Sequence, residues 1–238
     1  MEITHHQEGN SNAWTDTLRE AVFGLEDGIV STLGALVGIA IGTQDRFVVA
    51  LSGLVIIAVE SLSMAAGSYL SSKSEREVTE RYLEEERWEI EHEPERERQE
   101  LYGYYAARGF TRTEADILVR RVTSDPKLWL EEMAHHELKI IPGEATNPRR
   151  NAWVMGLSYI VGGSIPLASY LALPIAQAIP LSISLSVVGL FAMGALITRL
   201  TKRIWWKSGL EMVIVSVSAA GIGYIIGSVA QFLFPQLQ

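Results

Sequence analysis

The chain has no cysteine. Disulfides and thiolate metal ligands are therefore excluded, and any metal site must use carboxylate, imidazole, thioether or backbone oxygen. Charge is also scarce over most of the length. Residues 73–150 hold 14 of the 20 Lys/Arg and 19 of the 28 Asp/Glu, so the formal net charge of −8 describes neither part of the chain. No cleavable signal peptide is expected either. Met1–Asn12 is polar, without a basic stretch leading into an apolar core. Residues 1–15 read as a disordered tail in which His5-His6 is an isolated pair.

Long apolar runs are present, and a spanning helix needs roughly 20 mostly apolar residues. Five stretches qualify: Ala21–Gly42, Phe47–Leu70, Ala152–Leu173, Leu181–Thr198 and Leu210–Phe234. The expected fold is an all-α membrane protein of five transmembrane helices. Spans 1 and 2 occupy 16–72 and spans 3 to 5 occupy 148–238, with a water-soluble three-helix insert at 73–147. Basic residues near span ends set orientation. Arg149 and Arg150 precede the third span, while Arg199, Lys202, Arg203 and Lys207 separate the fourth from the fifth. The turn at Pro174–Pro180 has none. The N-terminus and the insert are thus expected in the cytosol, and the C-terminus outside or in a lumen. Trp153, Trp205 and Trp206 fall at the same cytosolic interface. The first span reads Gly34-x3-Gly38-x3-Gly42, a spacing that lets helices approach closely, either within the chain or in a homodimer.

Two spans carry acids. Charges at a bilayer centre cost roughly 2.5–3.5 kcal/mol each on insertion scales, so Asp27 and Glu60 point to a function. At about 1.5 Å per helical residue, Asp27 and Met64 are expected at nearly one depth, with Glu60 one turn deeper on the Met64 side. Carboxylate with thioether suits a borderline cation such as Fe²⁺ better than Ca²⁺ or Mg²⁺. Desolvated carboxylates also exchange protons against metal readily, which gives a route to antiport.

The charged segment opens with Ser74 to about Tyr105, which reads as one long helix. Within it Glu86, Glu89, Glu93, Glu97 and Glu100 fall in an arc of about 80°. Like charges at this spacing repel, so the stripe calls for a counter-cation. Arg96 and Arg98 are placed to neutralise part of it, and Pro94 must kink or break the helix. A second helix follows Thr111/Thr113, with capping residues at Thr-x-x-Glu/Asp spacing. A third opens at Asp125-Pro126 and runs to about Lys139, with Met133 and Glu137 on one face and His136 beside them. Pro142-Gly143 turns the chain back toward the membrane.

The sequence resembles the vacuolar iron transporter family from about Arg19 to Phe234. The resemblance rests on Gly24-Leu25-Glu26-Asp27-Gly28-Ile29-Val30-Ser31-Thr32, on Ser63-Met64-Ala65-Ala66-Gly67, on the helical insert and on Ser208-Gly209-Leu210-Glu211-Met212. It implies a homodimer in a lipid bilayer that exports Fe²⁺ from the cytosol in exchange for protons. Such a protein lies in the plasma membrane of a prokaryote or the vacuolar membrane of a eukaryote. The family's insert carries a metal-gathering pattern that falls here on Glu86, Glu89, Glu97, Glu100, Met133 and Glu137. Glu93 and His136 are additional candidates. Its transmembrane Asp and Met fall on Asp27 and Met64. Where many members read Gly-Glu-Tyr, this chain has Gly67-Ser68-Tyr69, and Glu60 is the candidate to supply the missing carboxylate.

No prosthetic group or nucleic acid is expected; divalent metals are the substrate. Mn²⁺, Co²⁺ and Zn²⁺ accept the same ligands as Fe²⁺. The competing enzyme reading is a membrane-anchored di-iron ferroxidase, since Glu89-x-x-His92 and Glu132-x-x-His135 have the required spacing. Against it, His92 lies about 90° from the Glu stripe. A third reading makes the insert a regulatory metal sensor.

Overall fold

A computed structural model describes residues 9–138, 147–202 and 204–233, and no strand occurs among them. The His5-His6 pair, the Pro142-Gly143 turn, Arg203 and Phe234 lie outside the described residues. The helices are α1 (Gly9–Thr43), α2 (Arg46–His92), α3 (Pro94–Ala107), α4 (Arg112–Val122), α5 (Pro126–Met133), α6 (Pro148–Ala172), α7 (Ile175–Thr201) and α8 (Trp205–Leu233). Five of them, α1, α2, α6, α7 and α8, are long and apolar enough to cross a membrane. The chain divides into two compact units, one of 15–70 with 148–238 and one of 1–14 with 71–147.

In the apolar unit, α1 and α2 meet at a short turn where Asp45 caps α2, accepting from Phe47 N–H at 2.7 Å. Glycine lets these helices cross with their backbones in contact. A Cβ on Gly28 would lie 2.4 Å from the Tyr159 carbonyl of α6, and one on Gly223 of α8 would lie 2.0 Å from the Gly34 carbonyl of α1. The Gly34, Gly38 and Gly42 row thus packs inside the chain, against Ala219, Gly223 and Gly227. α7 starts at Ile175, well before the expected Leu181, because Pro174 acts as its N-cap and Pro180 lies early in the helix. There it removes one donor and frees only the Ala176 carbonyl.

In the charged unit, the starts of α4 and α5 were readable from their caps. Thr111 and Glu114 form a reciprocal capping box on α4. Asp125 accepts from Lys127 and Leu128 N–H ahead of Pro126 on α5. Ile90, Leu101, Tyr105, Ala115, Val122, Trp129 and Met133 close a small core between the end of α2 and α3 to α5. Two expectations change. The long helix expected over 74–105 is broken at Glu93, whose φ of −124° and ψ of 44° leave the helical region. Pro94 then opens α3 as its first residue, which needs no N–H donor there. The expected disordered tail also shortens, since residues 9–15 are helical. Nothing in Ser11-Asn12-Ala13 stops a helix already nucleated downstream.

Candidate metal centre

The break at Glu93 reshapes the acidic stripe. On one straight helix Glu86 and Glu97 would be about 16 Å apart along the axis. In the structure Glu86, Glu97 and Glu137 bring carboxylate oxygens within 4.8 Å of one another. Glu86 comes from α2, Glu97 from α3, and Glu137 from a single π-helical turn, Ala134–Leu138, that follows α5. Such turns are rare and gather at functional sites.

Glu97 is fully buried and Glu86 nearly so, at 0% and 3% exposure. Both Glu97 oxygens and one Glu86 oxygen find no hydrogen-bond partner among the described residues. Burial and the neighbouring charges of Glu137, Glu97 and Glu89 push Glu86 up to about 8. Burial, Glu100, Glu89 and Glu137 push Glu97 up to about 7, against the opposing pull of Arg96. Burial also raises Glu137, with Glu100 and Glu89 adding to it. Buried carboxylates without donors are costly unless protonated or given a cation. Two of them, joined at this spacing by the exposed Glu137, form a hard oxygen pocket that holds either protons or a divalent ion.

The other expected ligands divide. Glu89 is half-buried and close enough to act on all three clustered carboxyls. Glu100 and Glu93 are bridged by Arg96, at 3.0 and 2.9 Å, and Arg98 pairs with Glu95. Arg96 thus neutralises part of the stripe without forming an ion pair with Glu86 or Glu97. Met133 is buried in the small apolar core. His136 Nε2 sits 2.8 Å from Glu132 and its ring stacks on Tyr104. His92 stacks on Trp88 at 4.5 Å, and both His92 and His135 are exposed. Neither histidine required by the di-iron reading belongs to the cluster of three carboxylates.

The apolar unit holds the other candidates. Asp27 is half-buried on α1; Ser31 donates to its backbone carbonyl at 2.7 Å and meets the Tyr159 hydroxyl at 2.7 Å. Glu60 is exposed on α2 and within electrostatic reach of Asp27, and Met64 is half-buried. One carboxylate was missed in the sequence. Glu20 is buried at 7% exposure, and its Oε2 accepts from the Ser68 hydroxyl at 2.8 Å. Arg19 lies 3.4 Å from its other oxygen. The available signal was spacing, since Glu20 lies two helical turns before Asp27 on the same face. Ser68 therefore stands beside a carboxylate contributed by α1. The same contact fixes the α1–α2 register. Counting about 1.5 Å per residue from it, Asp27 is within about 2 Å of Glu60's level and about 4 to 5 Å from Met64's. The expected order is thus shifted: Asp27 pairs in depth with Glu60.

A family model described as the VIT family matches residues 18–228. The chain belongs to the VIT family. A vacuolar iron transporter 1 of Tulipa gesneriana is 27% identical over 96% of this chain and 93% of its own length. The vacuolar iron transporter 1 of Arabidopsis thaliana is 26% identical over 96% and 92%. A vacuolar iron transporter of Plasmodium falciparum is 32% identical over 68% of this chain and 61% of its own. These VIT relatives are named as transporters, and none is named as an enzyme. The motif residues of this VIT chain, Glu26-Asp27-Gly28 and Ser63-Met64, lie inside the matched region.

Proposed function

We propose that this chain exports Fe²⁺, or a similar divalent transition metal, from the cytosol in exchange for protons. The observation that carries the reading is the trio Glu86, Glu97 and Glu137, two buried and one exposed at the mouth, whose oxygens lie within 4.8 Å of one another. Two of the three are held near neutral pH by burial and mutual repulsion, at about 8 and about 7. Metal entry there releases protons, and protonation releases metal. The 73–147 segment is assigned to the cytosolic side by its flanking basic residues, where it gathers ions for the spans. Within the spans Asp27, Glu60 and Met64 form the route, with Glu20 and Ser68 as an earlier step toward the basic end of α1. Glu60 is exposed on a single chain. A charge on a lipid-facing surface is disfavoured, which supports a homodimer that covers this face.

The test is metal uptake into proteoliposomes under an imposed pH gradient. Uptake that falls with Asp27→Asn, and that needs the gradient, supports the reading. Unchanged uptake in Asp27→Asn sinks the route, and uptake indifferent to the gradient sinks the proton coupling. Competition by Mn²⁺, Co²⁺ and Zn²⁺ ranks the substrates.

A further inference from the structure

The elbow joining α7 to α8 is used by none of this. It contains a cavity of about 510 Å³ lined by Ala192, Ala195, Leu196, Thr198, Arg199 and Trp205. One wall is apolar and runs along the last turns of α7. The other end carries a guanidinium and an indole. Trp205 is fixed edge-on to Phe191 at 6.0 Å, while Leu196, Ile204, Trp205 and Trp206 are all strongly exposed. Lys202 adopts a left-handed conformation with φ of 53°, and Lys207 lies over the Trp206 ring. Arg199, Lys202 and Lys207 form no salt bridge among the described residues. α8 opens here too, and with Lys207 N–H donating to the Ile204 carbonyl at 3.1 Å, its first turn still brings the positive end of the helix dipole to this elbow. Glu211 lies about two turns further along α8.

We infer that this elbow binds an anionic phospholipid. Its headgroup phosphate would meet Arg199, Lys202 and the start of α8, and an acyl chain would lie along Ala192, Ala195 and Leu196. The commitment to lipid follows from the combination of features. An anion alone has no use for an apolar wall at the end of two spans, and a zwitterionic headgroup leaves the unpaired cations uncompensated. Tryptophan favours the same depth, where an amphipathic ring meets headgroups.

Lipids with brominated acyl chains, which quench tryptophan on contact, provide the test on the full chain in detergent. Basic side chains near an anionic surface contribute about fivefold each in affinity. With Arg199 and Lys202 both engaged, brominated phosphatidylglycerol is therefore expected to quench the emission removed by Trp205→Phe at roughly one twenty-fifth of the concentration that brominated phosphatidylcholine requires. Arg199→Gln with Lys202→Gln should bring the two lipids to within about twofold of each other. Both residues are exposed, so the fold should persist, and circular dichroism checks that it does. Equal quenching by both lipids in the unaltered chain overturns the inference, as does a preference that survives the double substitution. Relief of quenching by millimolar inorganic phosphate would show that an anion alone fills the site. Absence of quenching by either lipid would show that another surface, such as a second copy, covers Trp205.

Discussion

Glu97 and Glu100 are one turn apart on α3 yet meet different surroundings. Glu100 is half-exposed and held by Arg96, whereas Glu97 is fully buried with no donor among the described residues. Glu97→Gln should therefore weaken divalent metal binding at least about tenfold. Glu100→Gln should change it less than about threefold, as expected for an exposed ion pair. Calorimetry on the full chain checks both, and equal effects would contradict the cluster. The shifted carboxyls also set a pH dependence. Glu86 and Glu97 rise from an ordinary 4.5 to about 8 and about 7 in the folded chain. The folded state then binds more protons than the unfolded state between those limits. Their stabilising contribution is complete below pH 4.5 and is lost as pH rises through 7 and 8. Without added metal the unfolding midpoint should fall between about pH 5 and pH 8 and level off above. Glu86→Gln with Glu97→Gln should flatten that fall, and a divalent metal should reverse it at the alkaline end.

At the level of whole helices, two features position the sites: a break and a set of bare crossings. The break at Glu93 converts one stripe into two facing acids, and Pro94 favours it by ruling out a continuous ladder at that point. The crossings depend on glycine. A Cβ on Gly223 would meet the Gly34 carbonyl at 2.0 Å, but one on Gly221 meets nothing within 4 Å. Gly223→Ala should destabilise the chain by about 1–3 kcal/mol through overpacking, whereas Gly221→Ala on the same helix should be neutral or slightly stabilising. Thermal unfolding in detergent separates them, and similar losses would mean that helix propensity and not packing governs α8.

For the molecule as a whole, the proposed homodimer must account for Glu60 on the exposed face of α2. The chain has no cysteine, so a single introduced thiol reports only on contacts between copies. Ser63→Cys, on that exposed face, should yield covalent dimers with a short bifunctional thiol reagent. Trp153→Cys, on α6, should give fewer. Monomers only at Ser63 would leave Glu60 facing lipid and contradict the proposed arrangement.

Helix type, span number and the caps that start α4 and α5 were legible in the sequence. They depend on local matters: apolar run length, Thr111 with Glu114, Asp125 with Pro126. The family motifs were legible too, because Asp27 and Met64 sit in short contiguous patterns. Which acids converge was not. Glu86 and Glu97 share a stripe on a continuous helix with Glu93 and Glu100, and spacing alone cannot tell a kink from a reversal at Pro94. Nor could it show that Arg96 takes Glu93 and Glu100 out of the cluster, or that Ser68 meets Glu20 from another helix. Sequence alone determined where helices form and which are apolar, since those properties arise within a few residues. Tertiary structure decided which carboxylates lose water together, because burial and like-charge repulsion depend on contacts between segments remote in the chain.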